Sequence, residues 1–236
     1  MLIYTLFIMN SIKPETLSFL KDLKKNNNRI WFAEHKPQFQ KLNEKFIEFA
    51  NVLLAELKNH DNIETPSGKK SVYRIYRDIR FSKDKTPYKK HFSGSFKRAT
   101  KELRGGYYFH IEPGNSFIAG GFWGPSPKDL LRVRQEIDID ASELIQIISS
   151  IGFKSTFGSL QGEKIKTTPR GFDKNHCDIE LLRYKQFLVL KKFTDKEVME
   201  KDFYIAALHT FLKMRPFLNY MSSVLITDAN GTFISI

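Results

Sequence analysis

Arg74, Arg77 and Arg80 recur every third residue with Asp78 between the last two, and they are the side chains in this sequence best suited to chemistry. They open the stretch Arg74–His91, R-I-Y-R-D-I-R-F-S-K-D-K-T-P-Y-K-K-H. A guanidinium presents forked donors that match a carboxylate or a phosphate, and a neighbouring carboxylate can fix its rotamer. These residue types point to an anion site built from Arg74, Arg77, Asp78, Arg80, Lys85 and Tyr88. In this reading Arg77 and Arg80 clamp the anion, Lys85 and Tyr88 complete the site, and Asp78 orients an arginine. His91, His110 and Arg170 are secondary candidates. If Val72–Phe81 is a strand, Arg74, Tyr76, Asp78 and Arg80 share one face, and Tyr73, Ile75, Arg77, Ile79 and Phe81 share the other. The plainer alternative is an Arg–Asp network that ties a loop to the sheet.

The charge around this stretch narrows the choice of partner. Pro66–Lys101 holds twelve Lys and Arg against Asp78 and Asp84, a net of +10, while the whole chain of 236 residues carries +12. One window thus holds most of the excess, which favours an anionic partner. A small molecule bearing phosphate or carboxylate is the leading expectation. The alternative is a non-enzymatic module that binds nucleic acid or a protein partner with the basic 66–101 surface. Tyr73, Tyr76, Phe81, Tyr88 and Phe92 could stack on bases, but no recognised nucleic-acid-binding module is present. The sequence does not decide between binding site and enzyme, because no carboxylate or histidine is identifiably poised for acid–base work.

Other constellations are weaker. Ser67-Gly68-Lys69-Lys70-Ser71 looks like a phosphate loop, but Ile63 stands where its first glycine belongs. His110 and Glu112 fall on one strand face, where Asp78, Asp84 or His91 could join them around a metal. No defined ligand spacing supports that, so a hydrogen-bonded sheet histidine is the expectation, with no metal and no cofactor. His176 and Cys177 are adjacent and lack an orienting acid, so a packed or half-exposed thiol is expected there.

The elements that must position these residues follow from periodicity. Pro14 opens a helix with Leu17, Phe19, Leu20 and Leu23 on its packing stripe, and Asn26-Asn27-Asn28 ends it. Phe39, Leu42, Phe46, Phe49, Val52, Leu53 and Leu57 recur every three or four residues, which predicts a second, longer helix. His60–Gly68 reads as a loop. Strands are expected over Phe92–Phe96, Gly106–Ile111, Phe117–Trp123 and Phe187–Phe193, with Glu112-Pro113-Gly114-Asn115 turning a hairpin. Helical spacing over Leu130–Ile137 and Ala141–Ile151, the latter ending at Gly152, is followed by a glycine-punctuated stretch containing Thr168–Phe172. A short helix is expected over Glu180–Tyr184. Thr194-Asp195 caps a final helix from Glu197 to about Ile226, which Pro216 should kink or divide.

Together these give a single α+β domain over residues 13–236, with a mixed or mainly antiparallel sheet packed by several helices and a long C-terminal helix. Residues 1–12 form an extension or a first strand. Leu2–Ile8 is apolar but too short for a membrane span and lacks the flanks of a signal peptide. Cys177 is the one cysteine, so no intrachain disulfide is available, which fits a reducing cytoplasm. No membrane association is expected, and the oligomeric state is left open.

Arg74, Arg77-Asp78-Ile79-Arg80-Phe81 and Asp84-Lys85-Thr86-Pro87-Tyr88 resemble R-x-x-R-D-x-R-F followed by D/N-K-x-x-Y, the signature of the bacterial family known as domain of unknown function 2461. Asn27, Asn28, Trp31 and Phe32, then Gly106, Tyr108 and His110, extend the similarity. So do Gly120-Gly121, residues 169–172 and Leu182–Lys185. The resemblance spans roughly residues 13–225. It implies membership and no reaction, and it favours Met9 as the start.

Overall fold

The computed structural model describes residues 11–228 and 230–233, so the extension or first strand expected within residues 1–12 lies, up to residue 10, outside the described residues. The fold is α+β. In chain order come α1 (Pro14–Lys25), α2 (Arg29–Glu34), α3 (Lys36–Lys58), α4 (Gly68–Ser71), β1 (Phe92–Lys97), β2 (Gly106–Ile111) and β3 (Ser116–Phe122). Then follow α5 (Pro127–Ile139), α6 (Ser142–Ser149), α7 (Ile151–Phe157), α8 (Ile179–Leu182), β4 (Phe187–Phe193), α9 (Asp195–Met199) and α10 (Phe203–Ile226). The strands form a four-stranded antiparallel sheet in the order β1-β2-β3-β4. Among the described residues no helix is long and apolar enough to cross a membrane.

The chain divides into two compact units. The first comprises Met1–Phe96, Tyr108–Ile118 and Lys192–His209. Its core is the aromatic stripe of α3 laid on the sheet. Phe46 stacks on Phe92 at 5.1 Å and meets Phe109 at 5.6 Å, while Phe49 stacks on Phe203 at 5.7 Å. All five rings are buried, so the helical spacing read from the sequence is a packing device. Gly94 is required there, because a Cβ would lie 2.4 Å from the Phe109 ring. The hairpin turn between β2 and β3 is held at its tip: the Gly114 N–H donates to Asp195 Oδ1 at 2.7 Å, and Lys21 reaches the same carboxylate at 3.7 Å. Thr194 and Glu197 form the expected capping box at the start of α9.

The second unit comprises Lys97–Tyr107, Ala119–Lys191 and Thr210–Ile236. Here Tyr107 packs against Phe211 of α10 at 4.9 Å, and a Cβ on Gly120 would meet Met214 Sδ at 2.6 Å. Gly121 has φ +124°, and its missing side chain lets the Phe187 carbonyl approach to 2.2 Å from the Cβ position. Arg98 is 1% exposed and donates to Ser222 Oγ, the Arg104 carbonyl and Asn219 Oδ1. One cation of the basic window is therefore part of the interior.

One helix is added to those expected, and the expectations at Gly152 and Pro216 change. Trp31 and Phe32 lie in the short helix α2, capped by Asn28 Oδ1, which accepts from the Trp31 N–H. Gly152 does not end a helix. Ser150 breaks the run with an extended ψ of 147°, then caps α7 by accepting from the Phe153 N–H, and α7 passes through Gly152. The last helix is divided instead at Glu200, whose ψ of 143° separates α9 from α10. Finally, α10 runs through Pro216 undivided. Met214, Phe217 and Leu218 on either side are fully buried, and that packing outweighs the hydrogen bond that proline cannot make.

Candidate functional site

The basic segment is not a regular strand. It is an excursion from the sheet, secured by isolated bridges pairing Val72 with Gly94 and Tyr76 with Tyr88. The Arg77 N–H reaches the Pro87 carbonyl at 2.9 Å and the Lys89 N–H reaches the Ile75 carbonyl at 2.8 Å. Between them the chain turns through 78–85. Two-face alternation therefore holds only in part: Ile75 is buried, whereas Arg74, Tyr76, Asp78 and Arg80 are exposed.

Within the excursion each acidic residue is taken up by an arginine. Arg77 donates to Asp84 at 2.7 Å, to the Thr86 carbonyl at 3.0 Å and to Thr86 Oγ1 and Ser82 Oγ. Asp84 also accepts the Thr86 N–H at 2.9 Å. That backbone bond, then the Thr86 side chain and the Arg77 guanidinium, pull its carboxyl down to about 2. Arg80 grips Asp78 through both Nε and Nη2, at 3.0 and 2.7 Å, and this pair lowers the Asp78 carboxyl from its ordinary value. The Arg80 side chain is 76% exposed, so the pair lies in water. Lys85 donates to the Ile79 carbonyl at 3.0 Å. Lys89 sits 5.2 Å over the Tyr73 ring, and burial followed by the nearby Arg74 charge lowers its ammonium pKa.

Tyr88 stands apart from the other expected site residues. It is buried, stacked on Phe32 at 4.0 Å. Arg170 is exposed in an irregular segment of the second unit. The phosphate-loop lookalike is structural: Ser67 caps α4, and Gly68 abuts α3, where a Cβ would meet the Asn51 nitrogen at 2.6 Å. Cys177 is exposed rather than packed, with its thiol 3.3 Å from Asp178 Oδ2, which raises its pKa.

A second constellation forms where the end of the excursion enters the sheet. His91 precedes β1, and its ring lies 4.0 Å from that of His110 on the neighbouring β2. His110 Nε2 is 3.2 Å from Glu112 Oε2, and its Nδ1 is 2.9 Å from the Tyr108 hydroxyl. Asn115 Nδ2 donates to the same Glu112 oxygen at 3.0 Å. Burial, then the neighbouring His110, pushes the His91 imidazole down to about 4. Burial lowers His110 as well, although Glu112 opposes it. Burial alone would raise the Glu112 carboxyl, but the hydrogen bonds from Asn115 and His110 bring it below its ordinary value. Near neutral pH the cluster is therefore two neutral imidazoles beside a carboxylate. The expected hydrogen-bonded sheet histidine is present. Tyr108, two residues before His110 on the same face, is a member that sequence reasoning passed over, although the alternation contained it. The nearness of His91 depends on strand pairing, which no local pattern discloses.

Residues 15–220 match the family described as conserved hypothetical protein, DUF2461. The chain belongs to this family. No curated protein and no solved structure matches it. Among the residues that carry the resemblance to DUF2461, Asn27 and Tyr88 meet in space, as do Arg77 and Asp84. Membership supplies no reaction.

Proposed function

We propose that this DUF2461 protein binds single-stranded nucleic acid with the segment 73–90. The observation that carries this reading is the exposure of the aromatic side chains between the cations. Phe81 is 96% exposed, Tyr76 49% and Tyr73 45%. Arg74, Arg80, Lys83 and Lys85, interleaved with them, are exposed too. Large apolar rings left in water beside cations suit a partner that offers both flat faces and phosphates, and each stacked base contributes ~1–3 kcal/mol. The small-anion pocket, which leads the reading of the sequence, draws less support. Arg77 and Arg80 are each paired with a carboxylate of their own segment, and Tyr88 is turned into the interior.

Fluorescence anisotropy with labelled single-stranded oligonucleotides tests the proposal. Binding should weaken linearly on a log–log plot against salt, with a slope of ~0.7 per phosphate contacted. Phe81→Ala should weaken it by about 5- to 150-fold without changing the fold, as the loss of one stacked base requires. The proposal fails if no oligonucleotide binds at low salt, or if Phe81→Ala and Tyr76→Ala bind like the parent. It also fails if a small phosphate or carboxylate compound stabilises the protein saturably and Arg77→Ala and Arg80→Ala abolish that shift; the pocket would then be the better reading.

A further inference from the structure

We propose that His91, His110 and Glu112 form a binding site for a divalent first-row transition-metal ion, with zinc as its simplest occupant. The donor atoms of these three residues all lie within 4.8 Å of one another. On a tetrahedral zinc ion with bonds of about 2.0–2.2 Å, neighbouring ligand atoms stand about 3.4 Å apart. His110 and Glu112, at 3.2 Å, already have that separation. The His91 donor, within 4.8 Å of the other two, has to close the remaining gap by turning its side chain. The donors are two imidazoles and a carboxylate, a set that suits zinc or ferrous iron and does not suit magnesium or calcium, which prefer oxygen alone. Three protein donors leave a fourth position for water or a ligand, the arrangement of a reactive metal rather than a purely structural one.

Placement supports the same reading. His110 lies on β2, Glu112 directly follows it, and His91 directly precedes the adjacent β1, so the three ligands are set by paired strands. Each of the two closest donors has an outer partner. The Tyr108 hydroxyl on His110 Nδ1 fixes that ring with Nε2 towards Glu112, and Asn115 fixes the carboxylate. Phe117 stacks on His110 at 4.5 Å, with the planes 13° apart, and prevents the ring from flipping away. His110 is buried while His91 and Glu112 are partly exposed, so an ion can enter from one side. A histidine present only to fill the sheet needs its Tyr108 and Glu112 bonds, but not a second imidazole 4.0 Å away.

The test is a titration of the chelator-treated full chain with cobalt(II), read by its visible d–d bands, and with zinc by calorimetry. One equivalent should bind, with the bands of a four- or five-coordinate nitrogen–oxygen site. His91→Ala and Glu112→Gln, the two more exposed ligands, should each weaken binding at least 10-fold while circular dichroism and the melting temperature of the metal-free protein stay near the parent's. Tyr108→Phe should weaken it less. Cys177→Ser serves as a control, because His176, Cys177 and Asp178 also bring their donors together. The proposal is overturned if no ion binds the folded chain. It is overturned equally if His91→Ala and Glu112→Gln bind like the parent, or if the cobalt spectrum shows thiolate charge transfer that Cys177→Ser removes.

Discussion

The carboxamide of Asn27 satisfies both backbone groups of Tyr88, accepting its N–H at 3.1 Å and donating to its carbonyl at 2.9 Å. A residue from the α1–α2 junction thereby stands in for a missing strand and fixes the end of the basic excursion, just before His91. Asn27→Ala should leave a part-buried backbone pair unmet and destabilise the protein by about 1–3 kcal/mol. Asn27→Asp keeps the acceptor for the Tyr88 N–H but sets a carboxylate oxygen against the Tyr88 carbonyl, so it should cost at least as much. Urea denaturation of both variants measures this; equal stability of parent and alanine variant would show that water replaces the contact.

Arg98 and Arg80 belong to one basic window but differ in burial. Arg98→Met removes the internal hydrogen bonds to Arg104, Asn219 and Ser222 and should cost about 2–5 kcal/mol. Arg80→Ala, at the surface, should leave the melting temperature unchanged and act on oligonucleotide affinity alone. Calorimetric melting alongside anisotropy separates the two; a drop in melting temperature for Arg80→Ala would make the Asp78 pair structural.

Gly121 and Gly114 both have positive φ, at +124° and +73°. At Gly114 nothing lies near a new Cβ, so Gly114→Ala incurs only backbone strain of about 1–2 kcal/mol. At Gly121 the Phe187 carbonyl is in the way, and Gly121→Ala should cost more than about 3 kcal/mol or abolish soluble expression. Comparable stabilities for the two variants would contradict this close approach of β3 and β4.

Acid should loosen the excursion in a defined window. The Asp84 carboxyl titrates at about 2 in the folded chain against an ordinary 3.8. A depressed carboxyl contributes stability that is complete above its unfolded value and is lost as pH falls through the folded one. The Asp84 contribution should therefore hold above about pH 4 and vanish towards pH 2. Carboxyl-detected NMR from pH 5 to 1.5 should find the low midpoint, and Asp84→Asn should remove the corresponding step from the Thr86 amide shift.

The sequence disclosed elements whose signal is local. The α3 stripe, the β2–β3 hairpin and the Thr194 capping box follow from periodicity, turn residues and cap chemistry within a few positions. Tertiary packing decided the rest. Pro216 sits in an unbroken helix because buried neighbours hold both sides, and residues 72–81 form a bridged excursion, in which Asp78 and Asp84 each pair with an arginine of their own segment, instead of a regular strand. Of the expected site residues, Arg74, Arg77, Asp78, Arg80 and Lys85 do share the excursion. Tyr88 went inside because Phe32 offers a stacking partner from α2, a contact 56 positions away in the chain. The pairing of His91 with His110 was hidden for the same reason.

The Pro113-Gly114 turn carries a consequence for anyone wishing to open this chain. An exposed tight turn is the usual place to splice in an epitope, a reporter domain or new termini. Here the turn is tethered through Gly114 to Asp195 and borders Glu112 and Asn115, so an insertion would detach the carboxylate from its supports. The bend near Lys83, exposed and bordered by short-range contacts, is the better port of entry for insertions meant to keep the histidine cluster intact.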